Sequence, residues 1–376
     1  MRNPIFDDLR PYYDEEISAA MQRIADSEYF LSLFSFVYPN RDIEEIKNTI
    51  RAFTSISEFQ LQVMQAFNKQ VISRSISSLS FDGYENLDKN KRYLFVSNHR
   101  DIVLDASLFQ NILHLEYGHQ TSEITFGSNL MISQLIIDIG KSNKMFKVIR
   151  GGNIRDFYEN SMHLSKYIRY AITEKNESIW IAQRNGRTKD GKDATDKGIV
   201  RMFYMGSPKS PENALAELNI VPIAISYQWE PCDMLKALEL YQSGFEKYVK
   251  KPGEDLNSIL TGITQQKGDV HISVGTPLSE ADLLPLAGLP HNKINSEVAL
   301  LIDNQIYKNY KLTCNNYIAH DLRSNSNQFT SKYTEEEKQA FVERYEELMA
   351  FDVEHKDVLA NIFLGIYANS VDLRFI

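Results

Sequence analysis

Short apolar segments alternate with segments of helical periodicity through the middle of the chain, and this alternation restricts the possible folds more than any other feature. The apolar segments predict strands at 93–97, 123–126, 146–149, 178–182, 220–226 and 271–274. The intervening segments predict helices, notably at 105–115, 130–139, 156–174 and 195–203. Strands that alternate with helices form layered α/β structures. The sequence therefore predicts an α/β fold with a mixed, largely parallel sheet covered by helices.

Helical patterns also precede and follow this alternating region. Ile43, Ile46 and Ile50 mark one face of a helix near the start of the chain, and a capping box begins at Thr334 near its end. We predict three parts: a helical N-terminal extension (1–76), an α/β domain (77–280) and a helical C-terminal extension (281–376). The aromatic-rich segment 29–38 is typical either of a buried helix or of a patch that dips into a membrane.

The net charge of −9 argues against general nucleic-acid binding, because such proteins present basic surfaces. Two basic islands, 141–155 and 184–201, interrupt the acidic chain, and each predicts either an anion site or a solvated face. Cys232 and Cys314 stand in no metal-binding spacing and fit a reducing compartment. The first residues form no apolar signal region, and no segment reaches about 18 uninterrupted apolar residues. We expect a cytoplasmic protein whose membrane contact is peripheral.

The segment 93–105 contains the strongest candidate for a catalytic residue. His99 lies in the turn that should follow a buried strand, and Asp101 and Asp105 follow it closely. A carboxylate bonded to one imidazole nitrogen fixes the tautomer and raises the basicity of the other nitrogen. Since the segment lacks a nucleophile-elbow pattern, we expect His99 to take a proton from a substrate hydroxyl that attacks a carbonyl. The alternative is a histidine with a structural hydrogen bond.

Several polar residues should share one edge of the sheet with His99. Arg150 and the segment 183–187 each come directly after a predicted strand, and ligands of α/β proteins bind where such strands end. No second histidine, cysteine or acid stands at a metal-ligand spacing near His99, so we predict no metal site there. Trp180 is expected to be a core residue.

Four blocks of sequence, in a fixed order, carry a resemblance to a known family. The first, 96–105, reads Val-Ser-Asn-His-Arg-Asp-Ile-Val-Leu-Asp, and the second, 146–152, ends in Arg-Gly-Gly. The third, 179–189, contains Gln-Arg-Asn-Gly-Arg-Thr, and the fourth, 220–225, reads Ile-Val-Pro-Ile-Ala-Ile. Together they resemble the glycerolipid acyltransferases, typified by the 1-acylglycerol-3-phosphate acyltransferases, whose first block is Asn-His-x4-Asp. The resemblance extends over about 200 residues, from residue 81 to residue 278.

The chain departs from the family pattern at two points. Five residues, not four, separate His99 from Asp105, so the alignment of Asp105 with the family aspartate places one extra residue in the turn. Asp101 would then either contact His99 or cap the following helix. The third block lacks the family glutamate, since Arg184 or Asn185 stands in its place. The loss of this acid leaves the identity of the acceptor open.

The resemblance implies an enzyme that moves a fatty acyl group from an acyl thioester to the hydroxyl of a lysolipid, expected to be 1-acylglycerol-3-phosphate. The thioester of acyl carrier protein or coenzyme A would be a co-substrate, and no cofactor is implied. His99 would be the general base, and Asp105 or Asp101 would orient it. The residues expected to bind substrate are Asn98, Arg150, Gly151, Arg184, Asn185, Gly186 and Arg187, with Arg150 and Arg187 on the phosphate.

The same resemblance implies that the protein works in membrane lipid biosynthesis, on the inner face of the cell membrane. Two alternatives stay open. The acceptor could be the hydroxyacyl chain of a lyso-aminoacyl lipid, because the third block is altered. The chain could also be a non-catalytic lipid-binding protein on the same scaffold, as Asn185 and the shifted aspartate suggest.

Overall fold

The computed structural model describes residues 2–149, 151–246 and 248–374. Within these residues one sheet is formed by β1 (Ile76–Asp82), β2 (Leu94–Ser97), β3 (Glu123–Gly127), β4 (Met145–Val148), β5 (Ile179–Ala182), β6 (Ile220–Tyr227) and β7 (Gly268–Val274). The strand order is β1-β7-β6-β2-β5-β3-β4. Neighbouring strands are parallel except β6 and β7, which are antiparallel. The structure confirms the α/β class with a mixed, largely parallel sheet.

All six predicted strands are present, but the sequence analysis missed β1. This strand pairs only with β7, so it lies at the edge of the sheet and is largely accessible to solvent. Its sequence, Ile-Ser-Ser-Leu-Ser-Phe-Asp, is too polar to resemble the buried apolar segments that identify the other strands. The central strand β2 shows the opposite pattern, because all four of its residues are buried.

The first helices of the chain form a layer with its own core. They are α1 (Asp14–Ala25), α2 (Phe30–Val37), α3 (Ile43–Arg51), α4 (Ile56–Phe59) and α5 (Gln65–Ser75), with a π-helical turn at Gln60–Met64. Their shared core includes Ile17, Phe30, Phe34 and Ile46. Since Phe30, Phe34 and Val37 are buried, the aromatic segment packs as a helix against its neighbours, while Leu31 stays exposed on the outer face.

The helices between the strands cover both faces of the sheet. They are α6 (Leu104–Leu115), α7 (Gln134–Ser142), α8 (Ile154–Thr173), α9 (Lys197–Met205), α10 (Pro211–Ala216), α11 (Asp233–Phe245) and α12 (Glu254–Thr264). Alternate residues of β2 enter opposite cores. Leu94 and Val96 pack in the core that includes Tyr167 of α8, whereas Phe95 packs with Phe109 of α6. Helices on both faces explain why the central strands are apolar throughout.

The last helices are α13 (Glu280–Leu283), α14 (His291–Asn309), α15 (Cys314–Ser324), α16 (Glu335–Met349) and α17 (Lys356–Arg374). Helix α14 packs on the sheet, since Val298, Ile302 and Ile306 belong to the same core as Leu94. Helices α15, α16 and α17 share a further core around Phe341. Among the helices of the described residues, none has both the length and the apolar character needed to cross a membrane.

Helix α14 also carries a carboxyl group whose titration should affect stability. Asp303 Oδ1 accepts hydrogen bonds from the backbone N of Thr195, at 2.9 Å, and from its hydroxyl. Burial raises the pKa of Asp303 to about 6, above the value of about 4 expected in the unfolded chain. The folded state therefore favours the protonated form of Asp303. Its contribution to the free energy of unfolding falls as the pH rises from about 4 to about 6.

We expect Asp303→Asn to raise the free energy of unfolding above pH 7 by about 1–2 kcal/mol, since one unit of pKa shift corresponds to about 1.4 kcal/mol and solvent screens part of it. The asparagine oxygen retains the ability to accept from Thr195. Urea unfolding at pH 4.5 and 7.5 measures this effect, and the gain should be smaller at the lower pH. An equal difference between variant and wild type at both pH values would contradict this account.

Candidate active site

A cavity of about 560 Å³ lies at the carboxyl ends of four neighbouring strands, β2, β5, β3 and β4. His99 follows β2, Gly127 ends β3, Ile149 follows β4 and Arg184 follows β5, and all four residues line the cavity. Parallel strands bring their carboxyl ends to one edge of the sheet, which is where ligands of α/β proteins bind. The ends of these four strands thus meet at a single space beside His99.

The imidazole of His99 is held by Asp105. His99 Nδ1 lies 2.9 Å from Asp105 Oδ2, and the carboxylate is fully buried in the first turn of α6. Because a carboxylate accepts a hydrogen bond, Nδ1 carries the proton and Nε2 is left as the proton acceptor. His99 itself lines the cavity. The pair can therefore remove a proton from a hydroxyl group bound in this space.

Three further donors fix the Asp105 carboxylate. Oδ2 accepts from the backbone N of Arg100, at 2.6 Å, and from that of Asp101, at 3.0 Å. Oδ1 accepts from the Tyr227 hydroxyl at the end of β6, at 2.8 Å. A buried carboxylate needs such donors because its desolvation is otherwise costly. The extra residue in the turn is thus accommodated by a backbone path that wraps around the carboxylate.

Asp101 has a different place from the one expected of a catalytic residue. Its Oδ1 accepts from the backbone N of Val103 and of Leu104, both at 2.8 Å, at the start of α6. Burial, and then the charge of Asp105, raise the pKa of Asp101. These hydrogen bonds go to the helix and not to His99, so of the two places predicted for Asp101 the structure shows the helix cap.

Asn98, which the sequence predicts to bind substrate, is not among the described residues that line the cavity. Its side chain is buried, and its amide exchanges two hydrogen bonds with the backbone of Ile225: Nδ2 donates to the carbonyl at 3.0 Å, and Oδ1 accepts from N at 2.8 Å. Nδ2 also donates to Asp193 at 3.0 Å. These bonds tie the end of β2 to β6, so Asn98 positions the loop that carries His99.

The third block surrounds the other side of the cavity. Arg184, Asn185, Gly186 and Arg187 all line it. The loop is fixed beside the histidine because Thr188 N donates to the carbonyl of His99 at 2.7 Å. Gly186 adopts φ +78°, and open space surrounds the position that a Cβ would occupy, so a ligand can approach the backbone there.

The cations of this block differ in their protein partners. Arg187 Nη1 is buried, and no atom of the described chain forms a hydrogen bond with it. Lys147 of β4 also lines the cavity, whereas Lys189 is ion-paired with Glu239. Arg150 lies outside the described residues. Its neighbours Ile149 and Gly151 line the cavity, and Gly151 adopts φ +91° with open space around it.

Sequence reasoning missed three residues of the site. Tyr227 lies 122 residues from Asp105, and no local pattern marks it. Trp180 is buried as expected, but it also lines the cavity, and its ring centroid lies 6.0 Å from that of His99 in an edge-to-face arrangement. Lys147 belonged to a basic island, which was the one signal available for it.

The rest of the cavity lining is mostly apolar. It includes Leu9, Ile102, Ala106, Ile124, Leu130, Met145, Val148, Leu164, Ile181, Ile199 and Met202. Such a surface binds hydrocarbon, whereas the arginines and Lys147 attract anions. Within the described residues, no group of three or more His, Cys, Asp or Glu side chains could hold a metal ion. The space therefore suits an amphiphile with an anionic head.

The influence of the Tyr227 hydroxyl on the His99–Asp105 pair can be tested without a substrate. In Tyr227→Phe we expect the ring signals of His99 to shift, because the Asp105 carboxylate that holds Nδ1 loses one of its three other donors. Proton–carbon NMR of the His99 ring at one fixed pH measures this change in the free protein. Tyr167→Phe is a matched control that should leave these signals in place, since it removes a buried hydroxyl that donates to Glu123 at the opposite end of β3. Unchanged His99 signals in Tyr227→Phe would exclude this influence.

Comparison with known proteins finds likenesses among solved structures. No protein-family model matches the chain, and no curated protein sequence matches it either. The crystal structure of the 1-acyl-sn-glycerophosphate (LPA) acyltransferase from Thermotoga maritima is similar at 13% sequence identity and a TM-score of 0.39. The match covers 76% of this chain and 94% of that one. At this identity and TM-score, the likeness carries no information about the chemistry of the cavity.

Proposed function

We propose that the protein is an acyltransferase that moves a fatty acyl group from an acyl thioester to the hydroxyl of a lysolipid. The observation that carries this proposal is the His99–Asp105 pair on the wall of a cavity that combines an apolar lining with the cations Arg184, Arg187 and Lys147. The resemblance of the four sequence blocks to glycerolipid acyltransferases supports the same reaction. The donor would be acyl carrier protein or coenzyme A carrying the acyl chain.

The geometry around His99 supports direct transfer. His99 Nε2 takes the proton of the acceptor hydroxyl. At the same time the oxygen of that hydroxyl attacks the thioester carbonyl carbon and forms a tetrahedral intermediate. The C–S bond then breaks, and the thiolate takes the proton from the imidazolium. Asp105 holds Nδ1–H throughout. General-base assistance contributes about 10²–10⁴-fold, so positioning and stabilisation of the oxyanion must supply the rest of the acceleration.

The two chemical halves of the cavity support an anionic lysolipid acceptor. Apolar side chains such as Ile181 and Met202 suit the acyl chains, and Arg184, Arg187 and Lys147 suit the head. Planar guanidinium groups hold a phosphate through paired, charge-assisted hydrogen bonds. We propose 1-acylglycerol-3-phosphate as the acceptor, with Arg187 on its phosphate and Arg150 as a second ligand.

A second acceptor is favoured by one residue. Arg184 stands near the position where the related family has a glutamate, and its side chain forms no ion pair within the described residues. A guanidinium pairs with a carboxylate as well as with a phosphate. Because an aminoacyl lipid carries a carboxylate, the hydroxyacyl chain of a lyso-aminoacyl lipid is the second candidate acceptor.

We expect His99→Ala to lower the rate of acyl transfer by about 10²–10⁴-fold, since the general base is lost. The assay combines purified protein, an acyl thioester and either lysophosphatidate or a lyso-aminoacyl lipid, with mass spectrometry of the products. His355→Ala is the control, because this histidine is about half exposed and is not among the residues that line the cavity. If the wild type acylates no lysolipid of such a panel, the proposed function fails.

We propose further that the cavity opens onto the inner face of the cell membrane. Ile132, Ile154, Phe157 and Val249, here called the mouth residues, are each at least 65% exposed. Phe157 lines the cavity, and the other three lie within a few residues of lining residues along the chain. Exposed apolar side chains at the entrance, beside basic ones such as Arg155, suit the boundary of an anionic bilayer.

We expect the double variant Ile154→Glu/Val249→Glu to bind vesicles that contain anionic lipid roughly tenfold more weakly, because two apolar side chains no longer enter the bilayer and two negative charges are added. Co-sedimentation with the vesicles measures this loss. Leu284→Glu/Leu300→Glu adds the same charge at two exposed leucines that are not among the cavity-lining residues, and it is the control. Equal binding by the two double variants would rule out the mouth residues as the contact.

A further inference from the structure

The C-terminal helix α17 contacts the loop that carries the third block. Asn369 Nδ2 donates to the carbonyl of Asp190 at 2.7 Å. Gly191, with φ +76°, lies so close to α17 that a Cβ there would stand 2.2 Å from the carbonyl oxygen of Ile366. Asp190 itself lines the cavity, three residues after Arg187. Residues 183–193, here called the arginine loop, therefore rest directly on α17.

The same helix contacts the loop that carries His99. The Ser370 hydroxyl accepts a hydrogen bond from Arg100 Nη2 at 3.3 Å, and Arg100 is buried immediately after His99. The backbone N of Arg100 donates to Asp105, and its carbonyl accepts from Lys236 Nζ at 2.7 Å. A shift of Arg100 would therefore move a donor of the Asp105 carboxylate and His99 with it.

A buried ionic cluster joins the two loops under α17. Arg100 donates to Asp193 of the arginine loop, at 2.6 Å, and to Glu230, at 3.0 Å. Glu230 also pairs with Lys236, and its backbone N donates to the Tyr367 hydroxyl of α17 at 3.2 Å. Buried ion pairs contribute little net stability, but they require one arrangement in which every charge has its partners. This cluster therefore fixes the relative position of the His99 loop and the arginine loop more than it stabilises the fold.

We propose that α17 acts as a clasp that sets the spacing between His99 and the arginines that bind the acceptor head, with Asn369 and Ser370 as positioning residues. No residue of α17 is among the described residues that line the cavity, so its influence passes through the two loops. The inference rests on the proposed function for the identity of the ligand, and it gives the C-terminal extension a role in the site.

The test compares Asn369→Ala with Asn361→Ala. Both substitutions remove an asparagine from α17, but Asn361 is exposed, whereas Asn369 Nδ2 holds the arginine loop and its Oδ1 accepts from Arg323 Nη1 of α15 at 2.7 Å. We expect Asn369→Ala to raise the KM for the anionic lysolipid by about tenfold with a smaller change in kcat, because displacement of a ligand-binding loop weakens positioning. Hydrogen exchange of amides 184–191 should accelerate, while the thermal unfolding midpoint stays near that of Asn361→Ala.

Hydrogen exchange separates this proposal from the proposed function, because it requires no substrate. Faster exchange confined to the arginine loop supports the clasp even if no lysolipid is acylated. Ser370→Ala, which removes only the hydroxyl between Arg100 and Gly191, serves as a second and milder variant. The clasp is refuted if both variants leave loop exchange unchanged, or if exchange rises to the same extent throughout the protein.

Discussion

The buried carboxylate of Asp105 is the constraint on which the site depends. A carboxylate far from water is tolerated only when donors surround it, and this one receives hydrogen bonds from His99, the backbone of Arg100 and Asp101, and the Tyr227 hydroxyl. Two of these donors are consecutive amides of the turn after His99. The path of the turn is therefore dictated by the carboxylate, and the imidazole orientation follows from it.

The fold was predictable because its strongest signals are local. The central strand β2 is a short apolar run buried on both faces, and α6 begins directly after its turn, so periodicity alone locates both. Strand β1 was not predictable in this way. It is an edge strand held by pairing with β7, almost two hundred residues later, and its serines carry no apolar pattern. An edge strand of this kind forms because a partner strand, here β7, offers its backbone for pairing, and the edge strand's own sequence does not show this.

The candidate site was predictable in part for the same reason. Spacing within one block brought His99 near two acids, but spacing cannot show which carboxylate turns towards the ring. Asn98 stands beside the histidine in sequence, yet its side chain points to β6 because the end of the strand needs backbone partners. The Tyr227 hydroxyl, on a strand distant in sequence, donates the hydrogen bond to Asp105 Oδ1. Contacts of that kind arise from the sheet order and not from any local pattern.

The unsatisfied polar atoms of the protein are concentrated where the site is. Nine buried side-chain polar atoms of the described residues have no hydrogen-bond partner, and five of them belong to Asp101, Trp180, Gln183, Arg187 and Thr188. Each such atom costs free energy in the folded state, so their clustering is not explained by stability. Trp180 Nε1 and Arg187 Nη1 are donors on residues that line the cavity. Because both atoms are buried, an acceptor-rich ligand such as an anionic lipid head would reach them only after these side chains move towards the cavity.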